Sequence, residues 1–90
     1  MILLPAELVQ TTVTQALQEL VPALGSVNEA QVTVDASALA RFDSTALAVC
    51  LELRRVAARA GKSLVWKGVP QRLSDLARLY GIAELLPTQA

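Results

Sequence analysis

Val34-Asp35-Ala36-Ser37-Ala38-Leu39-Ala40-Arg41-Phe42-Asp43-Ser44-Thr45-Ala46-Leu47 is the stretch on which the fold of this 90-residue chain turns. Its first residues complete Gln31-Val32-Thr33-Val34-Asp35, whose β-branched residues and apolar/polar alternation predict a strand. Asp35 to Asp43 then reads as an ordered loop, with Leu39 and Phe42 expected to face inward. Ser44 to Ala60 reads as a helix, apolar through Ala46-Leu47-Ala48-Val49-Cys50-Leu51 and wetter at Glu52, Arg54, Arg55 and Arg59. A helix that apolar is buried on more than one side, or against a partner.

The strand-to-helix junction carries the chemistry. Asp43, Ser44 and Thr45 stand directly before the helix. Asp, Ser and Thr are favoured there because a side-chain oxygen accepts a bond from a backbone N–H that has no partner within the helix. Capping alone accounts for this choice of residues. The helix's positive end also favours an anion, so a hydroxyl on Ser44 or Thr45 is placed to carry a phosphate as well.

Outward from the junction, Met1 to Leu4 is a short apolar run stopped by Pro5, readable as a strand. From Ala6 onwards the period becomes helical, with Leu8, Val9, Val13, Ala16, Leu17, Leu20, Val21 and Leu24 on one side. Pro22 and Gly25 punctuate its end. Downstream, Gly61 stands where a helix end favours positive φ, and Leu64 to Lys67 reads as a strand closed by Gly68. Pro70 marks the first turn of a third helix carrying Leu73, Leu76, Ala77, Leu79 and Tyr80, which stops at Gly81. Ile82, Leu85 and Leu86 are expected to fold back onto the body. Strand–helix alternation predicts an α/β fold, a small mixed sheet of three to four strands with helices packed on it. Three strands are few, so either an edge strand is missing or a partner supplies cover. The whole of residues 1–90 is read as one domain.

Composition narrows the function. The chain is 53% hydrophobic and 18% charged, which favours folding over disorder. Its apolar weight is aliphatic, with one Phe, one Trp and one Tyr. Eight basic and eight acidic residues cancel, leaving no global field for nucleic acid or an anionic membrane. With no His and one Cys, Cys50, neither a zinc site nor a Cys–His pair can be assembled, and no cofactor or catalytic residue is assigned. No run reaches the about 18 apolar residues needed to span a bilayer, and no secretory signal is read, so a cytoplasmic protein without direct membrane insertion is expected.

A strand ending in Asp, a loop, then Asp43-Ser44-Thr45-Ala46-Leu47 opening a helix resembles the signature of the STAS family, the sulfate-transporter and anti-sigma-factor-antagonist fold. Lys62 to Pro70 resembles the strand and turn that follow in that family. Leu76-Ala77-Arg78-Leu79-Tyr80-Gly81-Ile82-Ala83-Glu84-Leu85-Leu86-Pro87 is similar to the C-terminal run of its MlaB-like branch, small subunits of phospholipid-transport ABC complexes. The resemblance runs over residues 31–87 and departs from the pattern twice. Ala46 stands where the family has Gly, and the opening is a shortened version of the family's strand pair.

The resemblance implies a non-enzymatic module peripheral to the inner membrane, docked on the ATPase subunit of an ABC-type lipid transporter. It also implies an alternative, an anti-sigma-factor antagonist switched by a kinase-fold anti-sigma factor that phosphorylates Ser44. Partner contacts are expected from Arg41, Asp43, Ser44, Thr45, Leu47 and Arg54. Arg54, Arg55 and Arg59 read first as a solvated face. Trp66 reads as core or edge packing, and Cys50 as an inert buried thiol. Lys67-Gly68 lacks the glycine spacing of a phosphate loop.

Overall fold

The structure, a computed structural model, describes residues 1–88. In chain order its elements are β1 (Ile2–Leu3), β2 (Glu7–Leu8), α1 (Val13–Gly25), β3 (Gln31–Asp35), β4 (Arg41–Phe42), α2 (Thr45–Arg59), β5 (Ser63–Lys67), α3 (Gln71–Leu79) and a 3₁₀ turn at Ala83–Leu85.

Two β–helix–β units set the layout. β1, β3 and β5 form one sheet in that order, linked through α1 and then α2. Ile2 pairs with Val34, and Val34 with Trp66. Alternation decides the faces: Ile2, Val32, Val34, Leu64 and Trp66 are buried in one apolar cluster with Leu20, Leu24, Leu53 and Ala57 of the helices. The other face holds Thr33 and Val65, both part-exposed, and the exposed Leu3. The α/β architecture is the one expected, and this sheet has the expected three strands, with a further two-stranded sheet beside it. Every described ladder is parallel, so the sheet is not mixed in direction. On the outer edge of β5, Thr88 makes an isolated parallel bridge to Trp66, whose N–H donates to the Pro87 carbonyl at 2.9 Å.

The sequence places the start of the first helix too early. Thr12 closes a turn on Val9: its Oγ1 accepts the Val9 N–H at 3.0 Å, and its own N–H donates to the Val9 carbonyl at 2.9 Å. The helix begins only beyond that turn, and Glu7–Leu8 is free to pair with Arg41–Phe42 in a second, two-stranded parallel sheet. The chain therefore opens with two strands rather than one. The end of the Asp35–Asp43 loop is likewise a strand, although Leu39 and Phe42 are buried as expected.

The second helix begins one residue later and ends one earlier than predicted, with Ser44 and Ala60 as its flanking residues. Gly61 adopts φ +73° directly after it. The C-terminal tail returns to the body, where Ile82 and Leu86 pack against the core.

Candidate functional site

Arg41, Asp43, Ser44 and Thr45 converge where β4 runs into α2. Asp43 does the capping. Its Oδ1 accepts the Thr45 N–H at 2.8 Å, and its Oδ2 accepts the Gln10 N–H at 3.4 Å, tying the turn before α1 to the tip of α2. The Thr45 side chain and its backbone N–H hold the Asp43 carboxyl below its ordinary range. Ser44 stands at the N-cap position with helical φ and makes no side-chain cap bond. Its hydroxyl is thus left over from the capping, exposed at the positive end of a 15-residue helix.

The tip is braced from two sides. Across the small sheet, Arg41 pairs with Glu7 at 3.3 Å, an exposed ion pair of little energetic weight. From the start of α3, Arg72 donates to the Phe42 carbonyl at 2.9 Å and lies 4.4 Å from the centre of the Phe42 ring. Sequence reasoning missed Arg72. It lies thirty positions from Phe42, and no local spacing announces a contact of that range.

A second polar turn lies at the end of β3. Asp35 Oδ1 accepts from the Ser37 N–H at 2.9 Å and the Ser37 hydroxyl at 2.5 Å. These bonds, helped by the charge of Lys67, hold the Asp35 carboxyl low. Gly68 follows β5 at φ +66°, and a Cβ there would meet the Ser37 Cβ at 2.8 Å. The turns after β3 and β5 therefore touch at a point that only glycine fits.

Two of the expected contact residues lie elsewhere. Leu47 is 2% exposed and belongs to the core, one turn into the buried face of α2; it seats the helix and presents nothing to a partner. Arg54 is exposed but lies ten residues along α2 from Ser44, about 15 Å by helical rise. It borders a groove with Lys62, Leu64 and Glu84. The outward line of α2 instead runs from Ser44 through Ala48 and Leu51 to Arg55, the last bonded to Glu52 at 2.6 Å. Small and apolar near the tip and charged further on, that line is one uncovered strip of α2, with Arg54, Ala58 and Arg59 exposed outside it.

Of the remaining residues, Arg54 and Arg59 are exposed. Trp66 is buried, and Cys50 is buried with its thiol pushed up to about 12 by desolvation, so it stays protonated. No helix among the described residues is long and apolar enough to cross a membrane, and no cluster of three or more potential metal ligands occurs among them.

Fold and site together define a class: a small α/β module that seats one helix in its core and leaves a hydroxyl at that helix's tip in the open. The family profile described as "Mlab, STAS domain" matches residues 3–87, and the chain belongs to that family. The match begins at Leu3, the last residue of β1, and takes in β2, well upstream of residue 31. A comparison with curated proteins gives no match.

Proposed function

We propose that this STAS domain is a non-enzymatic interaction module, an assembly or regulatory subunit that docks on the ATPase of an ABC-type phospholipid transporter. Docking uses the Ser44 tip and the outward line of α2 through Ala48 and Leu51. The partner complex then keeps the chain at the inner membrane from the cytoplasmic side. One observation carries this reading: Ser44 is exposed and uncommitted to capping while the rest of the junction around it is fixed by Asp43, Thr45 and Arg72. A rigid tip with a free hydroxyl loses little conformational freedom on binding. Membership of the MlaB STAS family supports the choice of partner class.

The same free hydroxyl favours a second reading, an anti-sigma-factor antagonist phosphorylated at Ser44. Affinity purification of the tagged chain under native conditions separates the two. An ATPase and a membrane permease recovered in stoichiometric amount support the first. A kinase-fold partner, with a gain of one phosphate at Ser44 by intact-mass measurement after incubation with ATP, supports the second and removes the first.

A further inference from the structure

β1, β3 and β5 are joined by parallel ladders throughout, and an all-parallel sheet ordinarily has both of its faces covered. This sheet is covered on one face. Ile2, Val32, Val34, Leu64 and Trp66 point into the helical layer and are buried there. Their neighbours along the strands point the opposite way: Leu3 is 64% exposed, Thr33 and Val65 are part-exposed, and neither Leu3 nor Val65 belongs to the core cluster.

Register gives that open face its pattern. Asp35 stands directly beside Lys67, and Thr33 beside Val65, each pair one strand apart. Asp35 and Lys67 are the charged strand residues of this face, one of each sign. Both keep bonding capacity. Ser37 occupies only Oδ1 of Asp35, and no ion pair takes up Lys67 among the described residues.

We propose that the open sheet face is a self-association surface. A second copy of the chain packs on it with its strands in the same direction, so that Asp35 of each copy meets Lys67 of the other and Thr33 meets Val65.

The pattern is complementary to itself under one operation. A two-fold axis along the strands, midway between β3 and β5, exchanges those two strands and keeps their direction. It sets β3 of one copy over β5 of the other, about 10 Å away. Because Asp35 and Lys67 share a level, the exchange forms two ion pairs at one end of the contact, and it stacks Thr33 on Val65 twice in the middle. An axis under β3 would instead set Asp35 against Asp35, like charges facing. Leu3, on the flanking β1, comes to lie beside the aliphatic stem of the opposing Lys67. A face with one charge of each sign offers little to a strongly acidic or basic partner, or to an anionic bilayer. The contact is small. Five residues in each of β3 and β5 give about 16 Å along the strands and about 15 Å across them, well short of the about 800 Å² per partner of a stable dimer. Association is therefore concentration-dependent, with a Kd of roughly 0.1–1 mM. The surface lies across the sheet from α2, so it stands or falls independently of the docking reading.

Sedimentation equilibrium and ¹H–¹⁵N spectra of the chain, from about 0.05 to 2 mM, test this. The mean mass should rise from one chain towards two, and the signals of Leu3, Thr33 and Val65 should move with concentration while that of Ser44 stays still. Val65→Lys, and separately Thr33→Lys, should keep the chain monomeric across the range with the amide spectrum of a folded domain. Asp35→Asn keeps the Oδ1 acceptor for Ser37 and drops the charge, and Lys67→Gln drops the opposite charge. Each should weaken the dimer about threefold to tenfold, and the two together no further than either alone. A chain that stays monomeric at 2 mM, or self-association that survives Val65→Lys in folded protein, would overturn the proposal. So would two charge losses that simply add. Movement of the Leu3 and Val65 signals only on addition of phosphatidylethanolamine–phosphatidylglycerol vesicles, or only with an ATPase recovered on the tagged chain, would give the face to a lipid surface or to that protein instead and overturn it too.

Discussion

The guanidinium of Arg72 both bonds to the Phe42 carbonyl at 2.9 Å and covers the Phe42 ring at 4.4 Å. One side chain at the start of α3 thereby fixes the residue that precedes the cap of α2. Arg72→Ala is expected to destabilise the domain by about 1–2 kcal/mol, from the loss of a charge-assisted bond and a cation–π contact near the surface. Arg72→Lys keeps the charge but not the planar fork, so it should recover less than half of that. Urea denaturation measures both. Equal stability of the alanine variant and the parent would show that the contact contributes nothing.

Asp43→Ala removes the acceptor that serves both Thr45 and Gln10. The thermal midpoint should fall by roughly 4–8 °C, the shift that loss of one ordinary N-cap produces in a domain of this size. Ser44→Ala should leave it within about 1 °C, since Ser44 makes no side-chain cap bond. The contrast, read by thermal melts of the two variants, assigns the cap to one residue of the pair.

Asp35 and Asp43, normally near 3.8, and Glu52, normally near 4.5, are all held low in the folded chain, by Ser37, Thr45 and Arg55 respectively. A carboxyl with a folded pKa below its unfolded value favours folding above the unfolded value and loses that contribution as pH falls through the folded one. Stability should therefore be level above about pH 5.5 and decline below about pH 4. Asp43→Asn should flatten the acid limb. A urea midpoint that held constant down to pH 3 would contradict this assignment.

How much of this was legible beforehand depended on range. Gln31–Asp35 announced itself through β-branched alternation, and the second helix through its apolar run between Asp43 and Gly61. Glu7–Leu8 did not, because two residues are too few to show a period and their pairing with Arg41–Phe42 is non-local. Leu8 and Val9 happened to continue the apolar stripe of α1, which pulled its predicted start towards the N-terminus. What broke the helix was the Thr12 hydroxyl folding back on Val9. At the site, the polar Asp43-Ser44-Thr45 cluster was readable, but the division of labour within it was not. Leu47 was misplaced for a related reason: proximity to Ser44 in sequence says nothing of which side of the helix a residue faces.

Gly61 and Gly68 both have positive φ, +73° and +66°, but only Gly68 is crowded. Gly61→Ala should cost about 1 kcal/mol, the strain of a left-handed alanine. Gly68→Ala adds contact with the Ser37 Cβ at 2.8 Å and should cost about 2–4 kcal/mol. Adding Ser37→Gly to Gly68→Ala removes the nearest contact but leaves the backbone of residue 37 at 3.2 Å and deletes the hydroxyl bond to Asp35, so it should return only part of the excess. If the two alanine variants unfold at the same urea concentration, the two turns do not press on each other in solution.

Ser44→Glu tests the proposed docking tip with the fold held constant. The substituted side chain is exposed and its negative charge lies at the positive end of α2, so the isolated domain should melt at or slightly above the parent's temperature. The same charge becomes costly once a partner covers Ala48 and Leu51 beside it, because a desolvated carboxylate then needs a counter-charge. Arg41 is paired with Glu7 and Arg72 is engaged by Phe42, so neither cation stands uncommitted at the tip. Binding to the proposed ATPase partner should therefore weaken at least about tenfold, a loss on the scale of one unpaired buried charge. Ala48→Glu, one turn further along the same line, should act in the same direction, and Arg54→Glu, about 15 Å away, should act weakly or not at all. Partner recovery in pull-downs at matched concentration reads all three. Loss of binding from Arg54→Glu with retention in Ser44→Glu would move the interface to the far end of α2.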